Sequence, residues 1–246
     1  MLELFKNNDK LTAFIPDATV SIGAAEEKDS DKLAAIYSDV KIGRRNYRAR
    51  FDSNSNESFR DVGGMFNALS GEELKEIIHD GNSSILTAKR DTSLIGLLWV
   101  SRTDPAFCGY MPADEELMSA IDSGKLLYFR DIIVTGATIS KKVTSLLIYA
   151  AIKFGAQAGY THSLAEIYKV MYYNDGVRRE VGLLNKRSLN TATSSGGRFI
   201  GELPAKTILM DGMEVGVESN VVVFEYASAF DMLKQKITAM EINIEG

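Results

Sequence analysis

The stretch that most constrains this chain runs from Leu126 to Gln157. An apolar strand, Leu-Leu-Tyr-Phe-Arg-Asp-Ile-Ile-Val, ends at Val134, a short polar loop covers Thr135 to Ser140, and a helix follows. Val143, Leu147, Ala150, Ala151 and Phe154 recur at helical spacing and give that helix one apolar face. Gly159 supplies its stop, and a second strand is predicted from about His162 to Ile167. A strand and a one-faced helix in this order must pack face to face, so helices laid on a sheet are the expected architecture.

The rest of the sequence fits that layout. A first strand is expected over 17–25, and Asp29 or Ser30 can cap a helix carrying Leu33, Ala34, Ile36 and Tyr37. Ser70-Gly-Glu-Glu73 has the form of a capping box. Ser84–Lys89 and Ser93–Val100 read as a hairpin around Arg90-Asp91-Thr92. Asp104 to Lys125 reads as an excursion with a short helix around Glu115 to Ile121. Tyr168 to Leu184 reads as an insertion. Strands over 199–210 and 213–218 flank Asp211-Gly212, a hairpin signal. A buried last strand over 220–226 and a closing helix over 228–240 complete the chain. We read one domain over 1–246 with its core at about 17–230, of mixed α/β class with a mainly antiparallel central sheet flanked by helices.

Composition excludes several classes. A net charge of −5 disfavours a general nucleic-acid binder. One cysteine, Cys108, forms no internal disulfide, and Cys108, His79 and His162 lack metal-ligand spacing, so no metal is expected. No window approaches the roughly 20 apolar residues that span a bilayer. The N-terminus lacks the pattern of a secretion signal, so the expected compartment is the cytoplasm and no membrane partner is expected.

The order from Leu126 to Glu202 resembles the acyl-CoA-binding core of the GCN5-related N-acetyltransferases. In that family the strand opens through a loop of the form V-x-P-x-x-R/Q-G-x-G-x-G/A into a helix. Val134 fits the strand end, Ile139 falls on the basic or amide position, and Ser140, Lys142 and Thr144 fall on the three small positions. Val143 and Leu147 match buried positions. The glycines, which let a phosphate approach bare backbone, are absent. A helix N-terminus still offers unpaired N–H groups to an anion. Lys141 and Lys142, disfavoured there by the helix dipole, would be favoured beside a bound phosphate. A second family pattern begins at Asn185, with Ser188 on its serine position, Gly196 on its glycine, and Ile200-Gly201-Glu202 on the closing strand. Ala192 occupies the position of the tyrosine that in many members protonates the departing thiolate, and Gly197 replaces a phenylalanine.

The resemblance implies acetyl-CoA or another acyl-CoA as co-substrate. Ile133, Val134, Ile139, Ser140, Lys141, Lys142, Val143, Thr144, Asn185 and Ser188 are the implied cofactor contacts. It implies a small-molecule or protein amine as acceptor, and a homodimer is compatible with it. An amine must lose a proton before acyl transfer, so a general base is required. Asp131, a charge inside an apolar strand, is the first candidate and Glu166 the second. Simple alternation sends Arg130 to the opposite face from Asp131. A backbone N–H near Ile132 to Val134 would polarise the thioester carbonyl. The basic segment Lys41 to Arg50 falls where the family shapes its acceptor site. Two alternatives share the fold: a non-catalytic binding or sensing protein, and an acyltransferase like the acyl-homoserine-lactone synthases, which draws on acyl carrier protein.

Overall fold

The computed structural model describes residues 5, 9–16, 18–40, 69–103, 114–135, 139–174, 178–179, 186–210 and 213–245. Their order is β1 (Lys10–Ile15), β2 (Ala18–Ala24), α1 (Ser30–Val40), α2 (Gly71–His79), β3 (Ser83–Arg90), β4 (Ser93–Arg102), α3 (Glu115–Asp122) and β5 (Leu126–Val134). Then follow α4 (Ser140–Gln157), β6 (His162–Asn174), β7 (Arg178–Arg179), α5 (Lys186–Thr193), β8 (Arg198–Met210), β9 (Met213–Glu225), α6 (Tyr226–Ala239) and β10 (Asn243–Glu245). The strands form one sheet in the order β10-β1-β2-β3-β4-β5-β6-β9-β8, with β7 paired to β6. Every pairing is antiparallel except β5 with β6. That one parallel pair is the pair joined by α4, because a crossover helix is what returns a chain to run parallel to its preceding strand.

The two faces of the sheet are covered differently. On one face α4 and α6 lie side by side, with Tyr149 stacked on Phe230 at 4.9 Å between ring centroids. The face of α4 read from the sequence meets the sheet here: Val143, Leu147, Ala150, Ala151 and Phe154 are all buried in one cluster with Phe129, Val222 and Phe224. On the other face, Leu33, Ile36 and Tyr37 of α1 and Leu74 of α2 pack on Ile85, Leu97 and Ile133. Leu117 and Ala120 of α3 cover Leu126, Leu164, Val221 and Val223 farther along the same face. The α2 start is the expected capping box: Ser70 Oγ accepts from the Glu73 N–H while Glu73 accepts from the Ser70 N–H at 2.7 Å.

Four expectations need correction. β1 precedes the first expected strand and pairs with β2 and β10, and neither β1 nor β10 stands out in the sequence because both are short and half exposed. The strand expected from about His162 to Ile167 does not stop there but runs on to Asn174, paired with β9 down to Tyr173↔Val215. The strands expected at 213–218 and 220–226 are one strand. The polar pair Ser219-Asn220 looks like a break but is buried inside it, because Ser219 donates to Glu166 across the sheet. The stretch 186–193 is helical, so the segment Thr191 to Gly197, which reads in the sequence as a polar, glycine-rich loop, begins inside a helix. The Asp211-Gly212 turn lies outside the described residues, and Met210↔Met213 pairing closes the hairpin on either side of it.

Candidate active site

β5 and β6 pair only from Leu126↔His162 to Phe129↔Ala165. Beyond that point both strands continue, but β5 stays with β4 to Val134 and β6 stays with β9 to Tyr173. The sheet therefore splits into a wedge between the second halves of two neighbouring strands. Among the described residues, the backbone groups that Arg130–Val134 and the facing part of β6 turn toward each other have no ladder partner there. Polar backbone in the middle of a sheet calls for a partner. The mouth of the wedge lies on the side of β5 that leads into α4.

A bulge begins the split. Phe129 pairs with Val100 and Asp131 with Trp99, so Arg130 is the extra residue on β5. It breaks the alternation expected from the sequence. Arg130 does not point away from Asp131: its guanidinium carbon lies 4.9 Å from the ring of Trp99, the residue directly across from Asp131, and 5.5 Å from Tyr128. Its Nε donates to Ser101 Oγ at 3.0 Å.

Asp131 sits half-buried on the face covered by α1. Tyr37 Oη, from that helix, donates to its Oδ2 at 2.9 Å. Burial raises the Asp131 carboxyl above the usual carboxylate range, opposed by the Tyr37 hydrogen bond and by Arg130. Burial and the neighbouring carboxylate likewise push the Tyr37 hydroxyl up, so it stays a proton donor.

Glu166 lies on the same face one strand over, and it is fully committed. Ser219 Oγ donates to Oε1 at 2.6 Å, Lys206 Nζ pairs with the same oxygen at 2.6 Å, and Tyr128 Oη lies 3.4 Å from Oε2. Tyr168, whose ring lies 5.7 Å from Lys206 Nζ, is pushed up to about 12 by burial, with Glu166 and Asp131 adding to the shift. The fold thus brings both predicted carboxylates to one patch, with Tyr128 between them. Among the described residues, one of them is held by a hydroxyl alone and the other is neutralised by a lysine.

The α4 N-terminus lies past the loop. Ile139 is its N-cap and makes no side-chain capping bond, and the first turn contains no acidic residue. Ser140 and Val143 are buried, Lys142 and Thr144 half-buried, and Lys141 exposed. Ile133 is buried under α1, and Val134 packs against the α4 side of the sheet. Residues 136–138 and Asn185 lie outside the described residues, as does the basic segment Lys41 to Arg50. Ser188 is half-buried on α5.

Near this end of α4 stands Lys236, half-buried in the last turns of α6. Its Nζ donates to Ser194 Oγ at 2.8 Å and Ser195 Oγ at 3.0 Å. Burial and the nearby Lys141 both pull it below the usual lysine range. Among the described residues no carboxylate pairs with either lysine. Two uncompensated cations beside an uncapped helix N-terminus fit a phosphate-bearing ligand, such as the coenzyme A expected from the resemblance. Among the described residues no group of side chains could hold a metal ion.

The second motif is structural in its small residues. Gly196 has φ +88°, and a Cβ there would stand 2.6 Å from the Ala229 Cα. A Cβ at Gly197 would stand 2.5 Å from Val222 Cγ1, so the phenylalanine of the family pattern has no room. Ala192 is buried. Phe199 is exposed on β8.

Sequence reasoning missed Tyr37, Arg130, Ser219, Lys206 and Lys236. Tyr37 carried a signal, since a tyrosine on a buried helical stripe needs a partner for its hydroxyl. Lys236 carried none, because its neighbours come from other elements.

No protein-family profile and no curated protein sequence matches the chain. Solved structures do. A probable acetyltransferase from Staphylococcus epidermidis superposes with a TM-score of 0.52 at 13% identity, over 84% of this chain and 98% of its own. An N-acetyltransferase from Staphylococcus aureus Mu50 gives 0.51 at 13% over the same shares. YncA of Salmonella typhimurium, solved with its cofactor acetyl-CoA, gives 0.50 at 9%, covering 84% of this chain and 94% of its own.

Proposed function

We propose that this chain, which has the fold of the GCN5-related N-acetyltransferases, is an acyl-CoA-dependent N-acyltransferase that acylates a primary amine. The observation that carries the reading is the wedge between β5 and β6, where strand edges without a ladder partner among the described residues, the strand that leads into the α4 N-terminus and a half-buried carboxylate come together. The pantetheine arm of an acyl-CoA would use the free strand edges, as an added strand would. The N–H groups of Ser140 to Lys142, with Lys141 and Lys236, would hold its phosphates. When bound, the thioester supplies an acyl group activated toward nitrogen.

The chain's own residues then divide the work. Asp131 takes the proton of the amine. Its raised carboxyl suits this role, because a base is most useful when its pKa approaches the working pH. Tyr37 holds the carboxylate in place through Oδ2 and leaves Oδ1 toward the acceptor side. A backbone N–H at the free edge of β5 would donate to the acyl carbonyl as charge develops on its oxygen. Glu166 is less available for this role, since Ser219 and Lys206 already hold its Oε1. Without a phenol at position 192, the departing sulfur leaves as thiolate or takes the proton delivered through solvent.

Calorimetric titration with acetyl-CoA tests the reading. Binding in the micromolar range, weakened on the order of tenfold in a Lys141→Ala/Lys236→Ala variant, is expected. Absence of binding at millimolar ligand would overturn it and turn attention to carrier-protein donors or a sensing role.

A further inference from the structure

A regular strand sends neighbouring side chains to opposite faces, but the β5 bulge leaves a guanidinium and a carboxylate side by side on one patch. They do not satisfy each other. Among the described residues no ion pair joins Arg130 to Asp131, and no other carboxylate pairs with Arg130. Among the described residues the guanidinium is bonded only through Nε, to Ser101 at 3.0 Å, and it lies against Trp99 and Tyr128. Those residues leave its η nitrogens an uncommitted fork. Among the same residues Asp131 is bonded only through Oδ2, to Tyr37, so they leave Oδ1 uncommitted as well.

A fork of N–H donors already held at Nε is suited to a carboxylate, which it grips through two parallel bonds at little entropic cost. A lone carboxylate oxygen beside it is suited to an ammonium or amine. A single ligand that carries both an anionic group and a nitrogen can engage both. We propose that the acceptor is an amino acid or a close amino-carboxylate, with Arg130 holding its carboxylate and Asp131 facing its amine. The fate of that amine rests on the acyl-transfer reading, whereas its capture does not.

The same patch argues against polyamines and other polycations. Lys206 is already neutralised by Glu166, so among the described residues of the patch the exposed cation such a ligand would meet beside Asp131 is Arg130.

The test is calorimetry on the full chain, alone and saturated with coenzyme A, using the standard amino acids and the amines left by their decarboxylation. At least one amino acid should bind, with its decarboxylated amine at least roughly tenfold weaker. Arg130→Ala should abolish that difference, and Arg130→Lys should restore only part of it, since lysine keeps the charge and loses the fork. Circular dichroism of each variant confirms that it folds. The inference is overturned if the amine binds as well as the amino acid, if Arg130→Ala weakens both equally, or if no amino acid binds a protein that does bind coenzyme A. Arg130-dependent amino-acid binding by a protein that ignores coenzyme A would keep the site and remove the acyl-transfer reading. Binding of neither ligand removes both.

Discussion

The first halves of β5 and β6 and their second halves obey different rules. From Leu126 to Phe129 and from His162 to Ala165 the strands pair, and Leu126, Leu127, Phe129 and Leu164 are buried on both faces of the sheet. One residue later the pairing stops, and Arg130, Asp131 and Glu166 follow within a turn of sequence. The first half is core and is stabilised by burial. The second half gives up a ladder and carries charge, which only a ligand or a dedicated partner compensates. A single bulged residue separates the two, so the site is built where the sheet stops being a sheet.

The strongest way to break this contrast is Asp131→Asn. It should lower kcat/KM for the amine acceptor by about two to four orders of magnitude, the usual worth of a general base. It should not cost stability at neutral pH. The native carboxyl holds its proton more tightly than the unfolded one. Its contribution to stability is therefore full below about pH 3.9, the ordinary value, and is lost as pH rises through the raised native value. Asn removes that loss, so Tm of the variant should match or exceed that of the native protein at pH 8. A clear drop in Tm there would make Asp131 a structural residue.

In the paired half the opposite split is expected. Phe129→Ala empties a position packed at 5.4 Å on Phe224, and should cost about 3–5 kcal/mol in urea unfolding. Its folded fraction should bind acyl-CoA as before. Glu166→Gln should have a smaller effect, on the order of 1 kcal/mol, because Lys206 is partly exposed and can be hydrated. Its pH–rate profile should keep the native shape. A lost acid limb in that variant would move the general base to Glu166. The smallest change is Tyr37→Phe, worth about 1 kcal/mol of stability. Removing a bond that favours the charged form should shift the acid limb of kcat/KM to higher pH, and a shift to lower pH would contradict the role given to Tyr37.

Most of the layout was legible because it rests on local pattern. The strand Leu126–Val134, the helix Ser140–Gln157 and the Ser70–Glu73 cap stand in the structure as the spacing predicts. The errors share a physical cause. Strand length was misjudged at Tyr168 and at Ser219-Asn220, where polar residues inside β6 and β9 are satisfied by partners distant in sequence. Asp131 and Glu166 stood out as charges in apolar strands. Their different states did not, because Tyr37 and Lys206 reach them from elements 94 and 40 residues away in sequence. The bulge at Arg130 has no sequence signature at all. It changed the face on which a charge stands, and with it the reading of the acceptor.

Amide hydrogen exchange across β5 and β6, with and without coenzyme A, tests the central claim most directly. The account predicts that amides of Arg130–Val134 and of the facing part of β6 that lack ladder partners gain protection on ligand addition. Those of Leu126–Phe129 and His162–Ala165, already protected by pairing, should stay unchanged. Ligand binding that leaves the second halves as exchangeable as before would contradict it, and would place the cofactor somewhere other than the wedge.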